Sequence, residues 1–232
     1  VSVWELFWWG ITGRTLCASK PDEHFLPAKI LEETYNHKVT HLHFVPSVFD
    51  LFLTHLEEHK EECEKFSTVE RVFLSGEALS ASLINRFYTL FDYEKVKLHN
   101  LYGPTECAID VTYFDCAPDA IDPVPIGKPI YNTAMYVVDK NTRLVPIGVM
   151  GELCIGGVNV GQGYLNNPEL TAQKFIDNPF GEGKLYKTGD LAYYREDGNI
   201  ILGESGNEIT LRIENDRISS LDAGAEVAYF SN

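Results

Sequence analysis

The spacing of hydrophobic residues changes its period along this chain, and the change predicts two kinds of structure. Between about residues 27 and 102, segments with helical spacing alternate with short apolar runs. The helical segments are PAKILEETYNH, SVFDLFLTHLEEHKEECEKF and SASLINRFYTLF, and the apolar runs are VTHLHFV, VERVFLSG and KVKLHNLYG. Strands separated by helices of this length predict βαβ units and a parallel sheet with right-handed crossovers.

After residue 125 the pattern becomes one of short strands joined by Gly, Asn, Asp and Pro turns. The segments AMYVVDKNTRLVP, GELCIGG and KLYKTGDLAYYREDGNIILG predict antiparallel, barrel-like β structure. We therefore predict an α/β lobe over residues 1–125 and a β-rich lobe over residues 126–203. Residues 204–232 are either a divergent tail or the start of an inserted segment, and both interpretations stay open.

The predicted parallel sheet also indicates where a ligand would bind. In open sheets of this kind, ligands bind beyond the carboxyl ends of the strands. The three predicted strands end near residues 43–46, 73–77 and 101–106. Polar side chains collect at these ends, and we expect a binding site there, formed by His43, Ser75, Tyr102, Thr105 and Glu106.

The segment NLYGPTECAID carries the most chemistry per residue. Gly103 and Pro104 predict a turn, after which the chain leaves the sheet and the following side chains are exposed. Thr105 suits a phosphate oxygen, and Glu106 suits Mg²⁺, which binds through carboxylates together with substrate phosphates. Tyr102 offers a flat face for a base. The alternative is an ordinary strand-to-loop turn with polar residues around it.

Two further segments are weaker signals. Asp190 in YKTGD would accept both hydroxyls of a ribose, since a carboxylate has two acceptor oxygens, although Gly-Asp turns are common. The segment GELCIGGVNVGQGYL is rich in glycine, but it has neither GK[ST] nor a GxGxxG followed by a helix. We interpret its glycines as tight turns and close backbone packing.

Composition narrows the function classes. The chain has 232 residues, is 44% hydrophobic and carries a net charge of -15. This charge argues against nucleic-acid binding, which needs basic patches. VSVWELFWWGITG is too short for a membrane span and contains Glu5, so we expect a buried core segment. Five scattered cysteines without a CxxC pair favour reduced thiols in the cytoplasm.

Taken in this order, the segments resemble the adenylation domains of non-ribosomal peptide synthetases, within the adenylate-forming enzymes that include acyl-CoA ligases and luciferases. VSVWELFWWG is similar to the FDxSVWE segment from its third residue onward. NLYGPTE matches N-x-YGPTE, GELCIGGVNVGQGYL is similar to GELxIxGxxVAxGYL, and YKTGDL matches Y-K/R-TGDL. The resemblance extends from residue 1 to about residue 203.

This resemblance implies a fold, a reaction and partners. The fold would be part of the large subdomain of an adenylate-forming enzyme. The reaction would join an amino acid to AMP from ATP and pass it to the phosphopantetheine thiol of a carrier protein. Neighbouring synthetase domains would be further partners. We expect neither nucleic acid nor a membrane to be a partner. Thr105 and Glu106 would be catalytic, with Glu106 on Mg²⁺, and the ATP-binding residues would be Gly76, Glu77, Tyr102, Gly103, Thr105 and Asp190.

The resemblance also implies the lining of the amino-acid pocket. Carried over position by position, this lining is Val1, Trp4, His43, Phe73, Ser75, Leu101, Ile109 and Asp110. His43, Ser75 and Asp110 are costly to bury unless the ligand satisfies them, as a small hydroxylated side chain would. The set resembles the family's combination for serine, and we predict L-serine. Taken alone, His43 also fits a core histidine and Trp4 a core aromatic; we interpret His99 as a surface or helix-face residue.

The resemblance implies parts that these residues lack, namely a TSGTTG-like phosphate loop, the FDxS aspartate and a domain that carries a lysine. We therefore expect a piece of a longer protein, inactive in isolation. Near residue 204 the sequence departs from G-R-x-D-x-Q-V-K-I-R-G, with Glu204 for the arginine and Gly206 for the hinge aspartate. Two alternatives stay open: a catalytically silent truncated module that only binds neighbouring domains, and an acyl-CoA ligase.

Overall fold

The computed structural model describes residues 4–21, 23 and 25–203 with their side chains. It also describes the backbone of residues 2–3, 210–214, 217–222 and 225–231. Val1, Glu204 and Gly206 therefore lie outside the described residues. The chain forms two compact units, one from Val1–Gly103 and Tyr113–Val124, the other from Pro104–Thr112 and Pro125–Asn232. The domain limits expected from the sequence stay predictions.

The first unit contains the expected alternation of helices and strands. Strands β1, β2 and β3 are parallel and adjacent in that order, and β4 lies next to β3. The parallel sheet predicted from the sequence is thus confirmed. The elements are α1 (Ser2–Thr12), α2 (Pro27–His37), β1 (His41–Phe44), α3 (Pro46–Glu58), a 3₁₀ helix (Lys60–Phe66), β2 (Arg71–Leu74), α4 (Ala81–Leu90), β3 (Lys97–Tyr102) and β4 (Thr112–Cys116).

Local sequence explains where the helices begin. Pro27 and Pro46 each occupy a first helical position, where the missing N–H costs no intrahelical hydrogen bond. The Ser80 side chain accepts a hydrogen bond from the Leu83 amide and caps α4. These two prolines and the Ser80 cap mark the starts of the three helices, each directly after a strand or loop, as the sequence pattern predicts.

The single helix expected over residues 47–66 is wrong, because α3 ends at Glu58 and a separate 3₁₀ helix follows. The backbone of His59 leaves the helical region, with φ of -128° and ψ of 61°. Its ring Nδ1 also lies 3.0 Å from the His55 carbonyl oxygen, which already accepts the His59 amide. The side chain thus joins the backbone in capping α3 and ends the helix there.

The core of the first unit is built on phenylalanine rings. Phe49 and Phe52 of α3 are fully buried. Ring centroids lie 5.2 Å apart for Phe44 and Phe52 and 5.6 Å apart for Phe49 and Phe87. These contacts join α3 to β1 on one side and to α4 on the other. Helices α3 and α4 therefore cover one face of the sheet, and the opposite face is left for other contacts.

The expectation that the N-terminal aromatic run is buried is wrong. This run forms α1, in which Phe7 is 63% and Ile11 83% exposed. Within the first unit, Trp4 and Trp8 make the ring contacts to the sheet, with His41, His43 and Phe73. A short helix turns only one face toward a sheet, so an all-round apolar sequence leaves the other face exposed.

The second unit is a curled antiparallel sheet, as predicted from its short strands. The strand order is β10-β9-β7-β6, with β8 also paired to β9, and every pair is antiparallel. Leu153, Ile155 and Leu185 are fully buried. The elements are β5 (Lys128–Pro129), β6 (Thr133–Val138), β7 (Gly151–Gly157), α5 (Pro168–Lys174), β8 (Phe175–Asp177), β9 (Lys184–Tyr194) and β10 (Ile200–Leu202).

Three more strands follow near the end of the chain. They are β11 (Thr210–Glu214), β12 (Arg217–Asp222) and β13 (Ala225–Ser231), and they form a separate antiparallel sheet in that order. Among the described helices of the whole chain, none is long and apolar enough to cross a bilayer.

The phenylalanine core predicts a large cost for truncating Phe52. We expect Phe52→Ala to lower the free energy of unfolding by ~3–5 kcal/mol, because the lost ring leaves a cavity. All 3 tryptophans of the chain lie in α1, so tryptophan fluorescence during urea denaturation follows the first unit. Leu51→Ala is the matched control, since Leu51 is 57% exposed. An equal effect of both substitutions would contradict this account of the core.

Candidate functional site

The first part of the site lies on the face of the parallel sheet opposite to α3. The register pairs His43 of β1 with Phe73 of β2, so both side chains point to this face. The ring of Trp4 lies 5.2 Å from His43 and 5.4 Å from Phe73, centroid to centroid. Three residues that the sequence assigns to the amino-acid pocket are therefore in contact.

A chain of hydrogen bonds runs through His43. Its Nε2 lies 2.8 Å from Ser75 Oγ, and its Nδ1 lies 2.6 Å from Glu5 Oε1. Ser75 is only 2% exposed, and its amide continues the strand ladder by donating to the Phe44 carbonyl. Sequence reasoning missed the role of Glu5. Its only signal is a carboxylate within an otherwise apolar helix.

Trp4 adds a buried donor beside these groups. Its Nε1 is buried and has no hydrogen-bond partner among the residues that the structure describes. Buried polar atoms in native proteins are nearly always paired with protein, water or ligand. An unpaired indole N–H next to His43 is therefore consistent with a position that a ligand or water completes.

A cavity of about 500 Å³ opens on the same face of the sheet. Phe73 and Leu101, two predicted pocket residues, line it together with His99. The interpretation of His99 as a surface or helix-face residue is wrong, because it lies buried in β3 and stacks on Phe73 at 5.1 Å. Burial lowers the pKa of His99, although Asp115, 2.7 Å from its Nδ1, opposes that shift.

The strand-end residues assigned to ATP show local structural roles. Gly76 has φ of +87°, a left-handed conformation that favours glycine. The carboxylate of Glu77 accepts hydrogen bonds from the Ser47 amide and hydroxyl, each at 2.9 Å. Because Ser47 lies in the first turn of α3, Glu77 also complements the positive end of that helix. Their part in ATP binding stays a prediction.

In the second unit, the turn after YGPTE is held in an unusual conformation. Thr105–Cys107 form a short 3₁₀ helix, and the next two residues have positive φ, 53° at Ala108 and 87° at Ile109. A β-branched residue rarely adopts this region, and such positions cost roughly 1–3 kcal/mol each. The surroundings must therefore fix the backbone on the approach to Asp110.

One of those fixing contacts comes from Gly161. Its amide donates to the Glu106 carbonyl oxygen at 2.8 Å. A Cβ at this glycine would lie 2.9 Å from the same oxygen, so a side chain would push the two segments apart. The interpretation of the glycine-rich segment as structural packing thus acquires a specific purpose here, which is to hold the backbone of Glu106.

The Glu106 carboxylate is held by phenols. Tyr164 Oη donates to Glu106 Oε1 at 2.6 Å, and Tyr186 also lowers the pKa of this carboxyl. Partial burial raises the pKa of Glu106, but the hydrogen bonds from Tyr164, the backbone and Tyr186 outweigh it, so the pKa lies below the usual 4.5. The carboxylate is thus ionised at neutral pH. Sequence reasoning missed both tyrosines, although each belongs to a quoted motif.

Asp190 lies in β9 where the pairing with β7 shifts register in a β-bulge. The Thr188 hydroxyl donates to the Leu153 carbonyl at 2.7 Å and accepts from the Asp190 amide at 2.9 Å. Asp190 is exposed. Lys174 Nζ donates to the Thr188 carbonyl at 3.5 Å, and its charge also lowers the pKa of Glu106. Lys174 therefore links the two predicted nucleotide-binding segments of this unit electrostatically.

The predicted site residues are divided between the two units. Trp4, His43, Phe73, Ser75 and Leu101 belong to the first unit. Thr105, Glu106, Ile109, Asp110 and Asp190 belong to the second. An ionised carboxylate at Glu106 fits the oxygen ligands that Mg²⁺ takes in proteins. The expected meeting of Glu106 with His43 and Ser75 stays a prediction.

A parallel sheet, a curled antiparallel sheet and strand-end turns of the YGPTE and TGD types define an adenylate-forming enzyme. The chain belongs to the AMP-binding enzyme family, whose model matches residues 1–165. Within that family it is of the adenylation type found in non-ribosomal peptide synthetases.

Individual relatives support this placement. The chain is 47% identical over 203 residues to zwittermicin A synthase ZmaJ of Bacillus cereus, covering 86% of this chain and 38% of ZmaJ. It is 41% identical over 226 residues to phosphinothricin tripeptide synthetase PhsB of Streptomyces viridochromogenes, covering 96% of this chain and 18% of PhsB. Since the chain spans only part of these relatives, their whole activities do not transfer directly.

Solved structures agree in fold. The non-ribosomal peptide synthetase FmoA3, in its alpha-methyl-L-serine-AMP bound form, matches with a TM-score of 0.78 and 28% identity. The match covers 87% of this chain and 23% of the FmoA3 chain.

The hold on Glu106 predicts a local effect of Tyr164→Phe. Losing a hydrogen bond to a charged, partly exposed acceptor costs ~1–2 kcal/mol, so we expect amide exchange at Gly161 to become about tenfold faster at neutral pH. Because the folded-state pKa of Glu106 is lowered, this stabilisation is present above the usual 4.5 and is lost as the pH falls through the lowered value. The difference in amide exchange rate at Gly161 between the wild type and Tyr164→Phe should therefore shrink as the pH falls.

The matched control is Tyr131→Phe, since Tyr131 is 93% exposed. It should leave exchange at Gly161 unchanged at every pH. A Tyr164→Phe effect that persists undiminished in acid would show that the phenol acts through packing and not through the Glu106 charge.

Proposed function

We propose that this chain supplies the amino-acid pocket and part of the nucleotide site of an enzyme that activates L-serine. The enzyme joins serine to AMP from ATP, releases pyrophosphate, and passes the seryl group to the phosphopantetheine thiol of a carrier protein. The observation that carries this proposal is the buried hydrogen-bonded pair of His43 and Ser75 within an aromatic surround. The partners are the carrier protein and neighbouring synthetase domains.

The preference for serine rests on a buried oxygen, Ser75 Oγ, that can accept a hydrogen bond from a ligand. Both nitrogens of His43 are already hydrogen-bonded, one to Glu5 and one to Ser75. Ser75 Oγ keeps lone pairs in a buried position near the rings of Trp4 and Phe73, and an apolar amino acid would leave them without a donor. A site built to bond a hydroxyl rejects the analogue that lacks it much more strongly than an apolar pocket rejects one methylene. The alpha-methyl-L-serine-AMP bound form of FmoA3 supports a hydroxylated substrate of this size.

The proposed nucleotide roles follow the family resemblance. Tyr102 would stack on the adenine, Asp190 would accept the ribose hydroxyls, and Thr105 would bond phosphate oxygens. Glu106 would hold Mg²⁺, which supplies neutralisation of phosphate charge when bound. An AMPPNP-bound form of FmoA3 supports nucleotide use by this fold. The protein's own contribution is to position these groups, and the Tyr164 hydroxyl holds the Glu106 carboxylate.

The strained turn at Ile109 supports a binding role for its segment. Backbone strain persists where the structure over-determines it, and it collects at ligand sites. Ile109 and its neighbour Asp110 are both residues that the family resemblance assigns to the amino-acid pocket. The φ of 87° at the β-branched Ile109 is the observation on which this support rests.

Substitution of Ser75 tests the substrate. On the protein expressed from its complete gene, serine should stimulate pyrophosphate exchange into ATP. Ser75→Ala should lower kcat/KM for serine by about 10–100-fold, because the buried hydroxyl pairing is lost. Ser82→Ala is the matched control, since Ser82 is an exposed residue of α4.

The other outcomes discriminate between functions. Exchange that an apolar amino acid stimulates and serine does not would overturn the pocket assignment. Thioester formation with coenzyme A and a carboxylic acid would point to an acyl-CoA ligase. Absence of exchange with every amino acid, from a folded complete protein, would identify a catalytically silent module.

Substitution of Asp190 tests the nucleotide site. Asp190→Ala should raise the Kd for ATP about tenfold or more, since a charge-assisted bond to the ribose contributes on that order. The Kd for serine should change little. Asp177→Ala provides a control, because the Asp177 side chain is 96% exposed on the neighbouring strand. Unchanged ATP affinity in Asp190→Ala would remove the ribose role.

A further inference from the structure

We propose that Glu5 is a positioning residue that sets the tautomer of His43 and so makes the Ser75 oxygen a hydrogen-bond acceptor toward the bound amino acid. This inference rests on the proposed function for its ligand, although its first step concerns only the protein. It assigns a specificity role to a residue outside the predicted pocket lining. The role follows from the hydrogen-bonding capacity of three side chains.

The first step is the contact between Glu5 and His43. A glutamate carboxylate has acceptor oxygens and no proton to give. Because Glu5 Oε1 lies 2.6 Å from His43 Nδ1, the ring must carry its proton on Nδ1. In a neutral imidazole, one nitrogen is a donor and the other an acceptor. Nε2 is therefore left with a free electron pair.

The second step passes this polarity to Ser75. With Nε2 as an acceptor at 2.8 Å, the Ser75 hydroxyl donates its single proton to the ring. The remaining lone pairs of Oγ can then only accept. A ligand that meets this oxygen must bring a donor, such as a hydroxyl. An aliphatic side chain of the same size would leave the buried acceptor unpaired, which costs more than the lost bond alone.

Exposure to solvent decreases along the chain of contacts from Glu5 through His43 to Ser75. The side chain of Glu5 is 35% exposed and that of His43 is 9% exposed. Ser75 is 2% exposed. The carboxylate therefore keeps some contact with water, whereas the histidine and the hydroxyl are withdrawn from it. A partly hydrated carboxylate avoids the full cost of a buried charge and still fixes the ring.

The packing of Trp4 keeps the ring in place. Trp4 precedes Glu5 in α1, and its indole lies against His43 and Phe73. The helix thus supplies both an aromatic wall and a carboxylate to the same imidazole. The second carboxylate–histidine pair on this sheet, Asp115 with His99, has no serine at its other nitrogen, which lies 3.2 Å from an Arg71 nitrogen.

The tautomer can be measured without any substrate. In the complete protein labelled with ¹⁵N-histidine, His43 should show one protonated nitrogen, Nδ1, and one unprotonated nitrogen, Nε2. His43→Gln identifies the signals. Glu5→Gln should abolish the single-tautomer pattern, because a carboxamide can donate as well as accept. Glu62→Gln is the matched control, since Glu62 contacts His55 Nε2 at 2.9 Å outside this site.

The kinetic consequence separates positioning from folding. Glu5→Gln should raise KM for serine about tenfold, which matches one buried hydrogen bond, and leave KM for ATP within about twofold. Glu5→Asp keeps the charge and should restore part of the loss. Glu62→Gln should change neither constant. An equal rise of both constants in Glu5→Gln would indicate general disruption and overturn the role.

The two proposals can fail separately. A wild-type His43 with Nε2 protonated, or with both nitrogens protonated at neutral pH, overturns the role of Glu5 whichever amino acid is activated. The expected tautomer together with exchange that ignores serine would overturn the proposed substrate and leave the positioning of His43 intact. If Glu5→Gln fails to fold, the wild-type spectrum alone still decides the first step.

Discussion

The parallel register of β1, β2 and β3 is the constraint on which the first half of the site depends. It sets His43 beside Phe73 and Phe73 beside His99, while Val72 and Leu98 face the phenylalanine core. A shift of one residue would exchange the two faces of a strand. The hydrophobic core therefore fixes the position of the polar residues, because burying the wrong face would be far more costly than losing any single polar contact.

Glu106, in the second unit, is positioned in a different way. No buried strand ends at Glu106; its position comes from a 3₁₀ turn, from the backbone bond to Gly161 and from the phenol of Tyr164. These contacts come from segments more than fifty residues away along the chain. The sequence motifs of the second half thus act on one another, since a glycine-rich segment holds the carboxylate that another motif supplies.

The sequence predicted the parallel sheet, the curled antiparallel sheet and the strand ends that carry His43 and Ser75, because periodicity and topology determine these features. It did not predict the bond from Glu5 to His43, nor the tyrosines on Glu106, because partners distant along the chain leave no spacing signal. The burial of His99 was missed for a related reason: a histidine alternating with apolar residues has no mark that shows which face is covered. The end of α3 at Glu58 is marked by a contact of the His59 side chain that helical periodicity does not reveal.

The left-handed turn at Ala108 and Ile109 has a mechanical consequence. Its conformational energy is offset by the contacts of Tyr164 and Gly161 with Glu106, which lies two residues before Ala108 in the 3₁₀ helix. A ligand that drew the Glu106 carboxylate away from Tyr164 would weaken these contacts. The backbone leading to Asp110 could then relax to negative φ. The position of the Glu106 carboxylate and the backbone conformation at Ala108 and Ile109 are therefore coupled over a few peptide bonds.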